Sequence, residues 1–226
     1  MGQLEYTRFK KAFIITIPVL LGYIFLGIAF GILMADANYS VLQAFLSSIC
    51  IYTGALQFLS VSLLSTNASL VTTFLMAVLL NSRHLFYGLS FIERFRAMAL
   101  KHRFYLIYSL SDENYALLCS LKQDKDYHDD RLLVLVSFLD QSYWVIGTII
   151  GGVFKSIFDF NTTGIDFAMS ALFICICLDQ YLNSDQHQFT YLGFIVSIIC
   201  LLVFRSNFIL PSIIIIVMFM LFKKEH

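Results

Sequence analysis

Asn81, Arg83 and His84 fall within one helical turn, and Tyr87 follows Arg83 by four residues, on the same face of a helix. They interrupt an apolar run formed by residues 68–80 on one side and Leu89-Ser90-Phe91-Ile92 on the other. An unpaired charge at membrane depth costs at least roughly 2.5–3.5 kcal/mol by insertion scales, so a chain that keeps one there supplies a partner or a polar cavity. The planar guanidinium of Arg83 suits an anion, most simply a substrate carboxylate. The plainer reading is a structural ion pair, with Arg83 snorkelling to the interface. Ten residues of helix separate Arg83 from Glu93, or about 15 Å, which is a long reach for snorkelling.

Three further groups bear chemistry. Asp112 and Glu113 are adjacent carboxylates in an otherwise apolar segment, the type of group that carries protons in coupled transport; they are also the obvious charge partners for Arg83. An exposed loop would place them equally well. Thr53-Gly54-Ala55-Leu56-Gln57 breaks another apolar segment near its middle. Transporters use such breaks to turn half-helix N-termini toward anionic substrate groups, so Gly54 and Gln57 join the candidate substrate-binding residues; a packing kink is the alternative. Asp140, with Gln141 and Trp144, lies nine residues into a later segment, as a coupling group, a charge partner or a helix–helix hydrogen bond. Asp179 reads as interfacial. No His-x-x-x-His, Cys-x-x-Cys, EF-hand, Walker A, Gly-x-Ser-x-Gly or Rossmann pattern occurs, so neither metal, cofactor nor enzymatic chemistry is expected.

The elements that must position these residues are membrane segments. Of the 226 residues 59% are hydrophobic and only 13% charged, against about 25% charged in soluble domains. With 23 Phe and 12 Tyr the chain is suited to lipid-facing and interfacial surfaces. Its net charge of zero gives no reason to expect a nucleic-acid partner. The expected fold is an all-α polytopic membrane protein forming one domain. Its hydrophobic segments are 12–35, 41–64, 68–92, 104–121, 132–154, 165–182, 189–204 and 208–222, six to eight of them spanning. If 41–64 and 104–121 are re-entrant, twelve Lys/Arg fall on one side and two, Lys155 and Arg205, on the other. The positive-inside rule favours that arrangement, with both termini cytoplasmic.

The N-terminal run is about 24 residues, longer than the roughly 7–15 of a signal-peptide core, and reads as a retained first helix. Its Gly27 and Gly31 form a Gly-xxx-Gly pair that permits close helix approach. The five cysteines lie in apolar segments and suggest no disulfide framework. Asn38, Asn67 and Asn161 head chance glycosylation triplets.

Gly54-Ala55-Leu56-Gln57-Phe58, Asn81-Ser82-Arg83-His84-Leu85-Phe86-Tyr87-Gly88 and Ser111-Asp112-Glu113-Asn114-Tyr115-Ala116-Leu117 occur in that order. Trp144-Val145-Ile146-Gly147-Thr148 with Gly151, then Gly164-Ile165-Asp166-Phe167-Ala168 with Ala171-Leu172-Phe173, complete the set. This ordered series resembles the AzlC (BrnF-like) family across residues 10–222. The chain departs from it at Leu56, where Ser is frequent, at Phe25, where Pro is frequent, and at Ser111-Asp112-Glu113-Asn114, where a Thr-Asp-Glu-Thr-like stretch is frequent. The resemblance implies the large subunit of a branched-chain amino-acid exporter in a bacterial cytoplasmic (inner) membrane, working with a small AzlD-like membrane subunit. As expectations, Arg83, Asn81, His84 and Tyr87 with the backbone at Gly54–Gln57 hold a hydrophobic amino acid. Asp112 and Glu113 bind the α-ammonium or carry a coupling proton, and Asp140 serves as a proton-coupling group or charge partner. A channel, or a non-transporting scaffold, would use the same polar groups differently.

Overall fold

The computed structural model describes residues 3–123, 125–158, 161–162, 164–165, 167–182, 187–205, 208, 211–212, 215–216 and 218–219. Among these residues there are helices and no strand. The chain forms two units, residues 1–170 and 171–226.

The first unit is built on two long helices, α1 (Gln3–Asp36) and α8 (Asp130–Ile157). They run parallel. At one end, here the near end, Arg8 Nε donates to Asp129 Oδ2 at 2.7 Å; further along Thr16 Oγ1 and Tyr143 OH meet at 3.0 Å; at the far end Lys155 pairs with Asp36 at 3.4 Å. Glycine sets their closeness. A Cβ at Gly27 would stand 2.7 Å from the Trp144 carbonyl oxygen, and one at Gly147 2.7 Å from that of Ile24. Gly31 and Gly151 press still tighter, on the backbone of Thr148 and Ile28. The Gly-xxx-Gly pair read in the sequence is thus half of a two-sided glycine contact, in which backbone packing takes the place of a side-chain interface.

Both segments expected to be re-entrant are broken hairpins. Residues 41–64 form α2 (Val41–Cys50) and α3 (Gly54–Ser65), separated by a turn in which Tyr52 has φ 38°. That left-handed backbone costs a non-glycine residue about 1–3 kcal/mol and needs surrounding structure to hold it. Gln57, in the first turn of α3, donates from Nε2 to Ser48 (3.2 Å) and Ser47 (3.3 Å) of α2. Tyr39 and Gln43 before and on α2 share one cavity of about 590 Å³ with Leu63 and Asn67 at the end of α3. The hairpin therefore enters from the far end and returns to it.

α4 (Leu70–Ser90) begins beside that cavity and crosses to the near end, where α5 (Ile92–Arg96) turns Arg94 onto Asp130 and the Tyr127 carbonyl. α6 (Leu100–Tyr108) then enters from the near end, Lys101 and Tyr105 lining a groove with Glu5, Arg8 and Arg131. After a turn at residues 109–111, α7 (Asp112–Ser120) returns, and Leu118 and Leu121 join Phe95, Leu106 and Leu133 in a buried apolar cluster. Two 3₁₀ turns, Leu121–Gln123 and Lys125–His128, lead to α8. The unit thus reads helix-plus-hairpin twice, in opposite directions. The hairpin tips meet at mid-depth, with the Tyr52 and Tyr108 rings 6.4 Å apart.

α9 (Phe167–Leu182) begins in the first unit; the second contains the rest of it and α10 (His187–Phe204), where the Tyr181 and Tyr191 hydroxyls meet at 3.0 Å. The side chain of Asp179, Asp166, much of segment 208–222 and the terminal Lys223, Lys224 and His226 lie outside the described residues. Among the described residues three helices, Glu5–Asp36, Leu70–Ser90 and Asp130–Ile157, are long and apolar enough to cross a membrane. With the shorter apolar helices they make this a polytopic α-helical membrane protein.

Candidate functional site

α8 presents a stripe of buried polar side chains toward both hairpins. Ser137, Asp140, Trp144 and Thr148 follow one another at spacings of three, four and four, and so share one helix face. The ends of the stripe are satisfied. Ser137 Oγ donates to Asn114 Oδ1 of α7 at 3.2 Å, and Thr148 Oγ1 meets Ser48 of α2 at 2.9 Å. The middle is not: both carboxylate oxygens of Asp140 and Nε1 of Trp144 are buried without a hydrogen-bond partner, as is the hydroxyl of Tyr52 at the first hairpin tip. Such atoms are rare in folded proteins and mark sites of function or of bound groups.

The second tip faces the same centre. Ser111 caps α7 by accepting from the Asn114 N–H at 3.2 Å. Its neighbour Glu113 receives the Tyr23 hydroxyl at 2.7 Å, and Tyr23 also meets Ser111 Oγ at 2.6 Å. Tyr23 sets its ring edge-on to Trp144, 5.5 Å between centroids, and Phe30 and Phe58 complete the aromatic packing around the indole. Gly54 explains itself here. A Cβ would stand 3.1 Å from the Trp144 ring, and the α3 N-terminus that Gly54 opens is left uncapped by Thr53. The free N–H groups of that first turn make it an anion-friendly end.

Arg83 of α4 pairs with Asp112 at 2.8 Å, at the start of α7. Asp112 and Glu113, adjacent in sequence, thus serve different partners: Asp112 takes the guanidinium, Glu113 the Tyr23 hydroxyl. Arg83 Nε, Asp112 Oδ1 and Asn81 Oδ1 are buried without hydrogen bonds. His84 turns Nδ1 back to the Asn81 carbonyl at 3.3 Å and sets its ring edge-on to Tyr87, which stacks on Tyr115 of α7 at 4.4 Å. Gln57 is fully buried, its Nε2 spent on α2 and its Oε1 unpartnered. Gln141 bridges the hydroxyls of Tyr105 and Tyr108 on α6. Tyr23 and Tyr52 are the central residues that sequence reasoning did not single out. Their signal is faint: a hydroxyl beside a glycine in the first span, and a residue next to the Thr53–Gln57 interruption.

Among the described residues no group of three His, Cys, Asp or Glu side chains could hold a metal ion. The arrangement is instead a mid-depth set of hydrogen-bond donors and carboxylates flanked by two broken helices.

Residues 18–158 match the AzlC protein family. The chain belongs to the AzlC family. It is 33% identical over 208 residues to the Bacillus subtilis branched-chain amino acid transport protein AzlC, covering 92% of this chain and 82% of that one. It is 36% identical over 219 residues to a Helicobacter pylori membrane protein, covering 96% of each. With the Escherichia coli inner membrane protein YgaZ it shares 29% identity over 138 residues, 60% of this chain and 56% of YgaZ. No solved structure matches. A role in membrane transport follows from the family and the fold together.

Proposed function

We propose that this AzlC-family protein is a secondary transporter that exports branched-chain or other hydrophobic amino acids across the bacterial cytoplasmic membrane, both termini facing the cytoplasm. The observation that carries the reading is the meeting of two oppositely directed broken hairpins around buried, half-satisfied polar groups, the arrangement in which secondary transporters hold zwitterionic and anionic substrates. The Bacillus subtilis relative supplies the substrate class.

In this account the substrate carboxylate is received by Arg83, Asn81 and the uncapped α3 N-terminus at Gly54, with Gln57 fixing the hairpin, and His84 and Tyr87 hold the α4 face against α7. Because Arg83 and Asp112 touch through a single N–O pair, a carboxylate can engage the remaining guanidinium edge without first breaking the ion pair. Asp112 and Glu113 carry the coupling proton, with Asp140 as charge partner, so that export draws on the proton-motive force. The exposed outer face of α4, with Leu85, Phe86 and Leu89 at 61–73% exposure, faces lipid or a small AzlD-like membrane subunit.

Efflux of radiolabelled leucine, isoleucine, valine and methionine from preloaded cells tests the reading. The comparison is this chain alone, this chain with the small subunit, and the pair carrying Arg83→Gln. Efflux by the intact pair and its loss in the variant are expected. Efflux of none of the four, with both proteins verified in the membrane, would overturn it.

A further inference from the structure

Asp140 is fully buried, and neither of its carboxylate oxygens has a hydrogen-bond partner. Ser137 and Thr148, at the two ends of the α8 stripe, do have theirs, on α7 below and on α2 above, so the gap at Asp140 and Trp144 lies at the level of the hairpin turns. The ionisable groups in electrostatic contact with it are Glu113, a second carboxylate, and the phenols of Tyr23, Tyr52, Tyr105 and Tyr143. The Arg83 guanidinium is held by Asp112. A carboxylate so placed calls for a cationic companion, since a buried charge is tolerated when paired.

The chemistry around it selects the kind of cation. A hard metal ion would need a shell of oxygen ligands, whereas the orphaned indole N–H of Trp144 has only a proton to offer, and no group of three His, Cys, Asp or Glu side chains able to hold one stands among the described residues. Trp144, one turn along the same face of α8, and Tyr52, in electrostatic contact with the carboxylate, each leave a donor without a close partner, and Asp140 leaves an acceptor, which is the pairing a zwitterion needs. The phenol oxygens of the surrounding tyrosines can also accept from an organic ammonium. Trp144 also touches Gly54, so the donors lie against the same α3 N-terminus proposed above for the substrate carboxylate.

We infer that Asp140, seated between the two hairpin tips within a ring of tyrosines, is the receptor for the primary ammonium group of the transported molecule. The inference builds on the transport reading but assigns the amine end, which that reading leaves to a general charge partner.

Binding of ligand fragments to the purified protein tests it without requiring transport. The probes are 3-methylbutylamine (side chain and ammonium), 4-methylpentanoate (side chain and carboxylate) and 3-methylbutanol (neutral control), followed by thermal stabilisation. The amine should stabilise the wild type where the alcohol does not. Asp140→Asn should weaken its apparent affinity at least tenfold, Asp140→Glu should retain part of it, and the response to 4-methylpentanoate should survive both substitutions. Equal stabilisation by amine and alcohol, or an amine response that survives in Asp140→Asn, overturns the assignment; if Asp140→Asn does not fold, the amine-against-alcohol comparison in the wild type and Asp140→Glu still decides. Amine binding that tracks Asp140 without any leucine flux would contradict the transport reading and leave this one standing.

Discussion

Arg83 Nη1 and Asp112 Oδ2 stand 2.8 Å apart, while the next atom of each group, Arg83 Nε and Asp112 Oδ1, is buried without a partner. The pair joins α4, a long helix outside the α1–α8 pair, to the tip of the second hairpin. A purely structural pair of this kind gains by closing into the bidentate form. Left half-open, it can both hold the hairpin and meet a substrate.

Removing one member tests which role dominates. Arg83→Gln leaves a half-buried Asp112 unpaired, which costs about 1–3 kcal/mol. The double variant Arg83→Gln, Asp112→Asn removes both charges and should recover most of the thermal stability without recovering leucine efflux. Efflux restored together with stability would make the pair structural only.

The two tyrosines of the centre separate fold from function. Tyr23 donates its hydroxyl to Glu113, so Tyr23→Phe should destabilise by about 1–3 kcal/mol. The Tyr52 hydroxyl makes no close hydrogen bond, only a loose approach to the Tyr23 side chain. Tyr52→Phe should leave thermal stability within about 0.5 kcal/mol and reduce leucine exchange severalfold. Unaltered exchange in Tyr52→Phe would remove that hydroxyl from the site.

The glycine contact of α1 and α8 makes a sharper structural prediction. A methyl group at Gly151 runs into the Ile28 carbonyl, whereas one at Gly22 meets nothing within 4 Å. Gly151→Ala should lower stability by about 1–3 kcal/mol through overpacking. Gly22→Ala should be neutral or stabilising, by up to about 1 kcal/mol, from helix propensity. Thermal unfolding of the two variants in detergent checks the contrast.

At the near end, Asp129 precedes α8 and receives Arg8. Burial pushes its carboxyl up, but the hydrogen bonds from Arg8 and from the Leu132 and Arg131 N–H groups outweigh this and hold it below the ordinary carboxylate range. A carboxyl lowered in the folded state contributes stability above its unfolded value and loses it as pH falls through the folded value. Asp129→Asn keeps a capping side chain but loses the charge. Its melting temperature should lie below wild type at pH 7, with the gap closing as pH falls from about 5 toward 2.

Much of this was legible in the sequence because polar groups in lipid are so costly. The interruptions at Thr53–Gln57 and Ser109–Asn114 marked both hairpins, and the Lys/Arg asymmetry favoured re-entry over crossing, in agreement with the observed turns at residues 51–53 and 109–111. Asp112 was legible as the partner of Arg83 for the same reason. The convergence on Asp140 was not, since its neighbours Tyr23, Tyr52 and Glu113 come from three elements far apart in the chain, and spacing reports only contacts within one helix. Nor does the sequence display the repeated helix-plus-hairpin order. The first hairpin turns at Tyr52-Thr53 and the second at Leu110-Ser111, with unrelated residues doing the same geometric work.

The most direct test of the central claim is counterflow in liposomes holding the purified chain with the proposed small subunit. Unlabelled leucine loaded inside should drive transient accumulation of labelled external leucine, saturably, and Arg83→Gln should abolish it. Flux that rises linearly with concentration and shows no counterflow, or no leucine flux at all, would contradict the account.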